Sequence, residues 1–144
     1  HEVGADYPEL ELKDWYIDIM AENLINRSIR SAFEVFILPN LYGDIITDEA
    51  AQIQVGVGTA GSANFGSEYA MFEAVHGSAP FLIEMGIAEY ANPTSIFTAV
   101  CMMLTHIGYT EKADYLRSAL EKAVRVKPDE IKASVFTDIV LENM

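Results

Sequence analysis

The sequence predicts an α/β domain in which strands alternate with helices. Apolar residues recur at helical spacing in residues 14–30, and a short β-branched and aromatic segment follows in residues 33–38. Residues 95–106 and 111–126 show two further helical patterns. Strands interleaved with helices in a chain of 144 residues are typical of one α/β domain that is large enough to bury its own core.

The remaining elements follow from local spacing and from turn-forming residues. Residues 33–38 (FEVFIL) are predicted to be a buried strand, residues 41–55 a helix and residues 68–75 a second strand. Residues 56–66 contain four of the nine glycines, which predicts a loop instead of a regular element. Proline and glycine predict breaks elsewhere, at residues 7–11, residues 76–80, residues 91–93, Gly108 and Pro128.

The charge balance excludes some classes of partner. Nine basic residues stand against 22 acidic ones, so the formal net charge is −13. Such a surface repels phosphate backbones and anionic membranes, and we expect neither nucleic acid nor a membrane as a partner. The same charge fits a chain that binds cations or a basic domain, although acidity can also serve solubility alone.

The cysteine count and the chain start indicate the setting. Cys101 is the single cysteine, which excludes an internal disulfide and a thiolate metal site. It lies in the apolar run 96–104, which is far shorter than the roughly 20 residues that span a bilayer, and we expect it to be buried. No signal peptide pattern opens the sequence, so a cytoplasmic setting is expected. The chain starts at His1 instead of methionine, and we expect its natural start to lie upstream.

Two carboxylates form the most informative chemical pattern. Asp44 and Asp48 are four residues apart in a predicted helix, so both project from the same face and repel each other. Mg²⁺ or Mn²⁺ would offset that repulsion, because these ions prefer oxygen ligands and commonly take one or two carboxylates. A solvated acidic face without a ligand is the alternative, and spacing alone does not decide between the two.

The segment around this pair resembles a known family. Residues 39–51 (PNLYGDIITDEAA) resemble the signature of the isocitrate and 3-isopropylmalate dehydrogenases, with Thr47 where serine is common. The resemblance implies that Asp44 and Asp48 bind the divalent metal that chelates a 2-hydroxy acid. It also implies a third aspartate from the neighbouring subunit of a homodimer. Asp18 is the best match for that ligand, and Asp14 is its rival.

Further segments resemble the adenosine-binding parts of the same family. Residues 72–80 (FEAVHGSAP), 91–93 (ANP) and 58–66 (GTAGSANFG) match three family motifs. The resemblance implies that NAD or NADP is bound by a set of eight residues: His76, Gly77, Ser78, Ala79, Pro80, Phe81, Leu82 and Asn92. Family members that use NAD carry an acidic residue just after the first motif, and those that use NADP carry a basic one there or nearby. Phe81 and Leu82 are neither, so the choice of cofactor stays open. Glu73 is assigned either a place near the nicotinamide or a structural role.

The resemblance covers about residues 14–123 and implies the fold and activity of a β-decarboxylating dehydrogenase. Its substrate would be a 2-hydroxy tricarboxylate or dicarboxylate, isocitrate first and 3-isopropylmalate or a homologue next, which is oxidised and then loses CO₂. The arginines that bind substrate and the catalytic tyrosine and lysine are expected mainly in a preceding half, and no motif supports Lys13 in that role. The isolated chain is therefore expected to be a fragment, and inactive.

We predict three regions within the chain. Residues 1–32 form a dimer-side helical region, residues 33–127 carry the metal and adenine sites, and residues 128–144 are a C-terminal tail. Two other functions stay open. One is a non-catalytic regulatory or nucleotide-sensing subunit of the same family, and the other is an acidic scaffold without a ligand.

Overall fold

A computed structural model describes residues 2–54, 59–75, 80–128 and 130–144. The chain divides into two compact units, residues 1–50 and residues 51–144. The described elements are seven α-helices and two β-strands: α1 (Ile17–Ile25), α2 (Arg27–Arg30), α3 (Asn40–Ile53), β1 (Gly61–Phe65), β2 (Ala70–Ala74), α4 (Pro80–Glu84), α5 (Thr94–His106), α6 (Thr110–Val126) and α7 (Ala133–Glu142). Short 3₁₀ helices cover Val3–Asp6 and Ala88–Tyr90. This mixture of helices and strands confirms the predicted α/β class, and no described helix is long and apolar enough to span a bilayer.

The first unit contains the predicted helix of residues 14–30 as two pieces, α1 and α2. Asn26 separates them, because its backbone is extended and its side-chain oxygen accepts a hydrogen bond from the Ser28 amide at 3.1 Å. The Arg30 guanidinium donates to the carbonyls of Leu24 and Ile25 and so satisfies the end of α1. The turn predicted at residues 7–11 is confirmed by a hydrogen bond from the Leu10 amide to the Tyr7 carbonyl.

The prediction of a buried strand at residues 33–38 is wrong. This segment has no regular secondary structure and no strand pairing, and Val35 and Ile37 are 79% and 89% exposed. A cleft of about 550 Å³ is lined by this segment and by the residues around Leu10 and Leu12. A strand exists only where a neighbouring backbone accepts and donates its hydrogen bonds, and no described segment takes that place beside residues 33–38. Side-chain composition alone therefore did not predict a strand, because a strand also needs a neighbouring partner.

The second unit contains an antiparallel hairpin of β1 and β2, in which Gly61 pairs with Ala74 and Phe65 with Ala70. The strand predicted at residues 68–75 is confirmed. The loop predicted at residues 56–66 is wrong for residues 61–65, which form β1, whereas residues 55–58 lie outside the described residues. Gly61 suits β1 because it lacks a side chain, and not because it forms a turn. A Cβ at Gly61 would lie 2.6 Å from the Ala99 amide nitrogen, so the strand packs directly on the backbone of α5.

Helices α5, α6 and α7 build the core of the second unit. The helices predicted at residues 95–106 and 111–126 are confirmed, and Gly108 connects them with a φ of 88° that favours glycine. Helix α6 buries residues at helical spacing against the other two: Ala113, Leu116, Ala119, Leu120 and Ala123. Cys101, Phe136 and Val140 complete this core. Burial confirms the expectation for Cys101 and raises the pKa of its thiol.

Gly61→Ala tests how closely β1 approaches α5. The added methyl group would overlap the backbone at Ala99 and Thr98, and backbone atoms do not move aside as a flexible side chain does. We expect the free energy of unfolding to fall by about 1–3 kcal/mol, the usual cost of overpacking. Urea denaturation measures the change. Ser62→Ala, on the opposite face of β1, serves as the control, and equal effects of the two substitutions would contradict the close packing.

Candidate metal and cofactor sites

Helix α3 places the two motif aspartates on one face of the first unit. The helix runs without interruption from Asn40 to Ile53, and Ile46 is almost fully buried between the two aspartates in sequence. Asp44 and Asp48 are exposed, four residues apart, and therefore lie one turn above each other. In the described parts of the chain, neither carboxylate has a hydrogen bond or an ion pair. No basic side chain of the described residues pairs with Asp44 or Asp48. The two carboxylates are thus open to a ligand from outside the chain.

Asp18, the predicted third ligand, lies in the first turn of α1. It is exposed, and its side-chain oxygen accepts a hydrogen bond from the Ile19 amide at 2.9 Å. Its rival Asp14 precedes the helix and already has an interaction partner. Within residues 2–54, 59–75, 80–128 and 130–144, no three acidic, histidine or cysteine side chains gather closely enough to hold a metal ion. One chain therefore brings together Asp44 and Asp48 but does not add Asp18 to them.

The predicted adenosine segment is described only at its end. His76, Gly77, Ser78 and Ala79 lie outside the described residues. Pro80 starts the short helix α4, in which Phe81 is exposed and Leu82 is partly buried. Neither side chain adds a charge to the start of this helix.

Asn92 lies at the start of α5. Its side-chain oxygen accepts hydrogen bonds from the Thr94 amide at 3.0 Å and from the Thr94 hydroxyl at 2.6 Å. This local turn pairs the first backbone N–H of α5, although the cap position itself is Pro93. The side chain is exposed and held in one orientation, and its amide nitrogen makes no hydrogen bond to other described residues. The side-chain oxygen of Asn92 therefore has a structural role, while its side-chain nitrogen remains available to donate a hydrogen bond to a ligand.

A cavity of about 430 Å³ opens beside Asn92 in the second unit. Its wall is mostly apolar, with Pro93, Ile131 and the ring of Phe136, and Lys127 and Glu130 add one charge of each sign. Lys132 forms an ion pair with Glu89 at 2.8 Å and lies 5.9 Å from the ring centre of Tyr90. The hydrogen bond to Glu89 raises the pKa of Lys132. An apolar pocket with a few polar groups has the size and composition of a small-molecule site.

Sequence reasoning missed the residues after Pro128 that line this cavity. They were assigned to a tail because the resemblance ends before them, and no local motif distinguishes Glu130 or Ile131 from surface residues. Only the tertiary fold of the second unit brings them next to Asn92. Glu73, which was assigned two possible roles, accepts a cross-strand hydrogen bond at 3.0 Å from the side-chain nitrogen (Nδ2) of Asn64, and this pair is exposed.

Comparison with known proteins decides the family. The sequence model of isocitrate/isopropylmalate dehydrogenase matches residues 1–140. The chain belongs to the isocitrate/isopropylmalate dehydrogenase family. It is 44% identical over 124 residues to an isocitrate dehydrogenase [NADP] of Rickettsia prowazekii, and 43% identical over 124 residues to a 3-isopropylmalate dehydrogenase of Archaeoglobus fulgidus. Each match covers 86% of this chain.

Solved structures give the same assignment. An isocitrate dehydrogenase from Methylococcus capsulatus superposes with a TM-score of 0.87 at 31% identity, and the match covers 99% of this chain and 43% of that one. The TT0538 protein from Thermus thermophilus superposes with a TM-score of 0.89 at 31% identity and covers 99% and 30%. The chain spans 25% of the Rickettsia enzyme and 36% of the Archaeoglobus enzyme. It is a family member that corresponds to a part of these longer proteins.

Proposed function

We propose that the protein containing this chain catalyses the metal-dependent oxidative decarboxylation of a 2-hydroxy acid with NAD or NADP. Isocitrate is the first candidate substrate, and 3-isopropylmalate or a homologue is the second. The observation that carries the proposal is the pair Asp44 and Asp48, exposed on one face of α3 without a partner in the described chain. Family membership and the names of the similar enzymes support the same reaction class.

The donor set suits Mg²⁺ or Mn²⁺. Asp44 and Asp48 supply hard oxygen ligands from one helix face, and such ions complete their shells with water and substrate oxygens. Asp18 would come from the second subunit of a homodimer, which agrees with a chain that does not bring its own Asp18 to the pair. A bound divalent ion supplies Lewis-acid polarisation of substrate oxygens. The role of Asp44 and Asp48 is to hold and orient it, and the helix fixes their separation.

The dinucleotide would be held by the second unit. The adenosine end is assigned to His76, Gly77, Ser78, Ala79, Pro80, Phe81 and Leu82, with the amide nitrogen of Asn92 reading the edge of the base. The cavity beside Asn92, of about 430 Å³, has room for a planar adenine ring, which Ile131 and the ring of Phe136 could contact. Lys127 and Glu130 carry opposite charges there, so the choice between NAD and NADP stays open.

The arrangement of regions and the cellular setting are part of the same proposal. Residues 1–32 would lie at the dimer side, residues 33–127 would carry both sites, and residues 128–144 would end the chain beside the cavity. A cytoplasmic location remains a prediction. Substrate arginines and the catalytic tyrosine and lysine are expected from the longer protein.

The test is turnover by the full-length protein. It is assayed with isocitrate and with 3-isopropylmalate, each with NAD⁺ or NADP⁺, in the presence of Mn²⁺, and reduction of the nicotinamide is followed by absorbance. We expect one substrate and one dinucleotide to give clearly higher kcat/KM than the other pairs, and chelation of the metal to stop the reaction. Binding of metal and dinucleotide without turnover on either acid would overturn the proposal in favour of a regulatory, nucleotide-sensing subunit.

A further inference from the structure

We infer that Ser95 is a positioning residue of the dinucleotide site, which it shapes by joining both strand ends of the hairpin to the first turn of α5. This inference rests on the proposed function, because it concerns the segments assigned to adenosine. Ser95 follows Asn92 by three residues, and its side chain is completely buried. It contacts neither substrate nor reacting atoms, so its effect would pass through the backbone.

The hydrogen bonds of Ser95 close the open end of the hairpin. Its hydroxyl oxygen accepts a hydrogen bond from the Val75 amide at 2.9 Å, and its hydroxyl hydrogen is donated to the Ala60 carbonyl. Ala60 and Val75 flank the last cross-strand pair, Gly61 and Ala74. One side chain therefore replaces the next pair of ladder hydrogen bonds and attaches both strands to α5.

Only a hydroxyl-bearing residue performs both bonds at this position. A hydroxyl donates and accepts at the same atom, whereas alanine does neither and would leave two partly buried backbone groups without these bonds. Thr98, one turn further along α5, adds a weaker connection, because its hydroxyl lies 3.3 Å from the Thr59 carbonyl and 2.9 Å from the Thr94 carbonyl. The first turns of α5 are thus hydrogen-bonded to the residues before β1 and to the residue after β2.

This junction involves the residues next to both segments assigned to adenosine. Val75 is the residue directly before the segment assigned to the base and ribose, and Asn92 stands at the start of the helix that carries Ser95. The bond from Ser95 to Val75 therefore fixes the position of Val75 relative to the first turn of α5 and to Asn92. A displaced ligand segment weakens binding in both ground state and transition state, which raises KM and leaves kcat in place.

Ser95→Ala in the full-length protein tests the inference. We expect the affinity for the dinucleotide that the wild type prefers to fall about tenfold, the factor that corresponds to about 1.4 kcal/mol. We expect its KM to rise equally and kcat at saturation to stay within about twofold. Binding of Mn²⁺ stays unchanged, and hydrogen exchange of the Val75 amide becomes faster. Thr98→Val, which keeps the shape and removes a weaker bond, gives a smaller loss of affinity and replaces Ser95→Ala if that variant does not fold.

Leu116→Ala is the matched control, because it destabilises the core of the same unit and lines no cavity beside Asn92. We expect it to lower the melting temperature without changing dinucleotide affinity. If Ser95→Ala and Thr98→Val lose stability but bind the dinucleotide like Leu116→Ala, their role is structural and the inference is overturned. If the wild type binds neither NAD⁺ nor NADP⁺, the proposed function itself fails, and the two failures are thereby distinguished.

Discussion

Replacing Asp44 and Asp48 by asparagine is expected to abolish Mn²⁺ binding and to lower kcat/KM of the full-length protein about a thousandfold, the equivalent of about 4 kcal/mol. Asparagine keeps the shape of aspartate and removes the charge that attracts the cation. Because both carboxylates are exposed and unpartnered in the described chain, their loss also removes a like-charge repulsion. We therefore expect the melting temperature to stay the same or rise slightly. Calorimetric titration with Mn²⁺ and steady-state kinetics measure the two effects.

Asp138→Asn supplies the control for this substitution. Asp138 is an exposed helical aspartate in α7 that belongs to neither candidate site. We expect it to bind Mn²⁺ and turn over substrate like the wild type. If the Asp44→Asn and Asp48→Asn variants bound Mn²⁺ as tightly as the wild type, these residues would not be metal ligands. A fall in stability would show instead that they are structural.

Phe136→Ala is expected to have the largest effect on stability, a loss of about 3–5 kcal/mol in the free energy of unfolding. Phe136 is 1% exposed, and its ring centre lies 6.4 Å from that of Phe97 in the core shared by α5, α6 and α7. Truncation removes the buried ring and leaves a void that the surrounding helices fill only partly. Since domains are stable by only about 5–15 kcal/mol, this is a large share of the total. Chemical denaturation followed by circular dichroism measures it.

Phe136 also lines the cavity beside Asn92, so its loss should enlarge that cavity. Tyr69→Ala is the stability control, because Tyr69 is 83% exposed and buries little area in this chain. We expect it to change the free energy of unfolding by less than about 0.5 kcal/mol. If Phe136→Ala lowered the free energy of unfolding as little as Tyr69→Ala, α7 would not form part of the core.

The helices were predictable because each contains its own signal. Backbone hydrogen bonds of an α-helix close within the segment, so apolar spacing and a terminal break are enough to recognise α3, α5 and α6. The same holds for the pair Asp44 and Asp48, whose spacing along one helix implies their proximity. The family assignment, carried by short motifs, is confirmed by the comparisons.

The strands were less predictable because their hydrogen bonds reach outside the segment. Residues 33–38 have strand composition but pair with no described strand, whereas residues 61–65 have loop composition and are paired. Glycine at position 61 signals a turn in sequence statistics, but here it permits contact with the backbone of α5. Strand pairing and close backbone contact each depend on two segments, so the sequence of one segment does not predict them.

By itself, the sequence determined the α/β class, the main helices, the family and the proximity of Asp44 and Asp48 on one helix face. Tertiary structure alone decided which residues surround Asn92. It brought residues after Pro128 to the cavity wall, and it joined Ala60, Val75 and Ser95, residues up to 35 positions apart, through one hydroxyl. Local signals arise from the periodicity of a single helix. The cavity and the Ser95 junction arise from the return of distant segments to the same place, which depends on how the whole core packs.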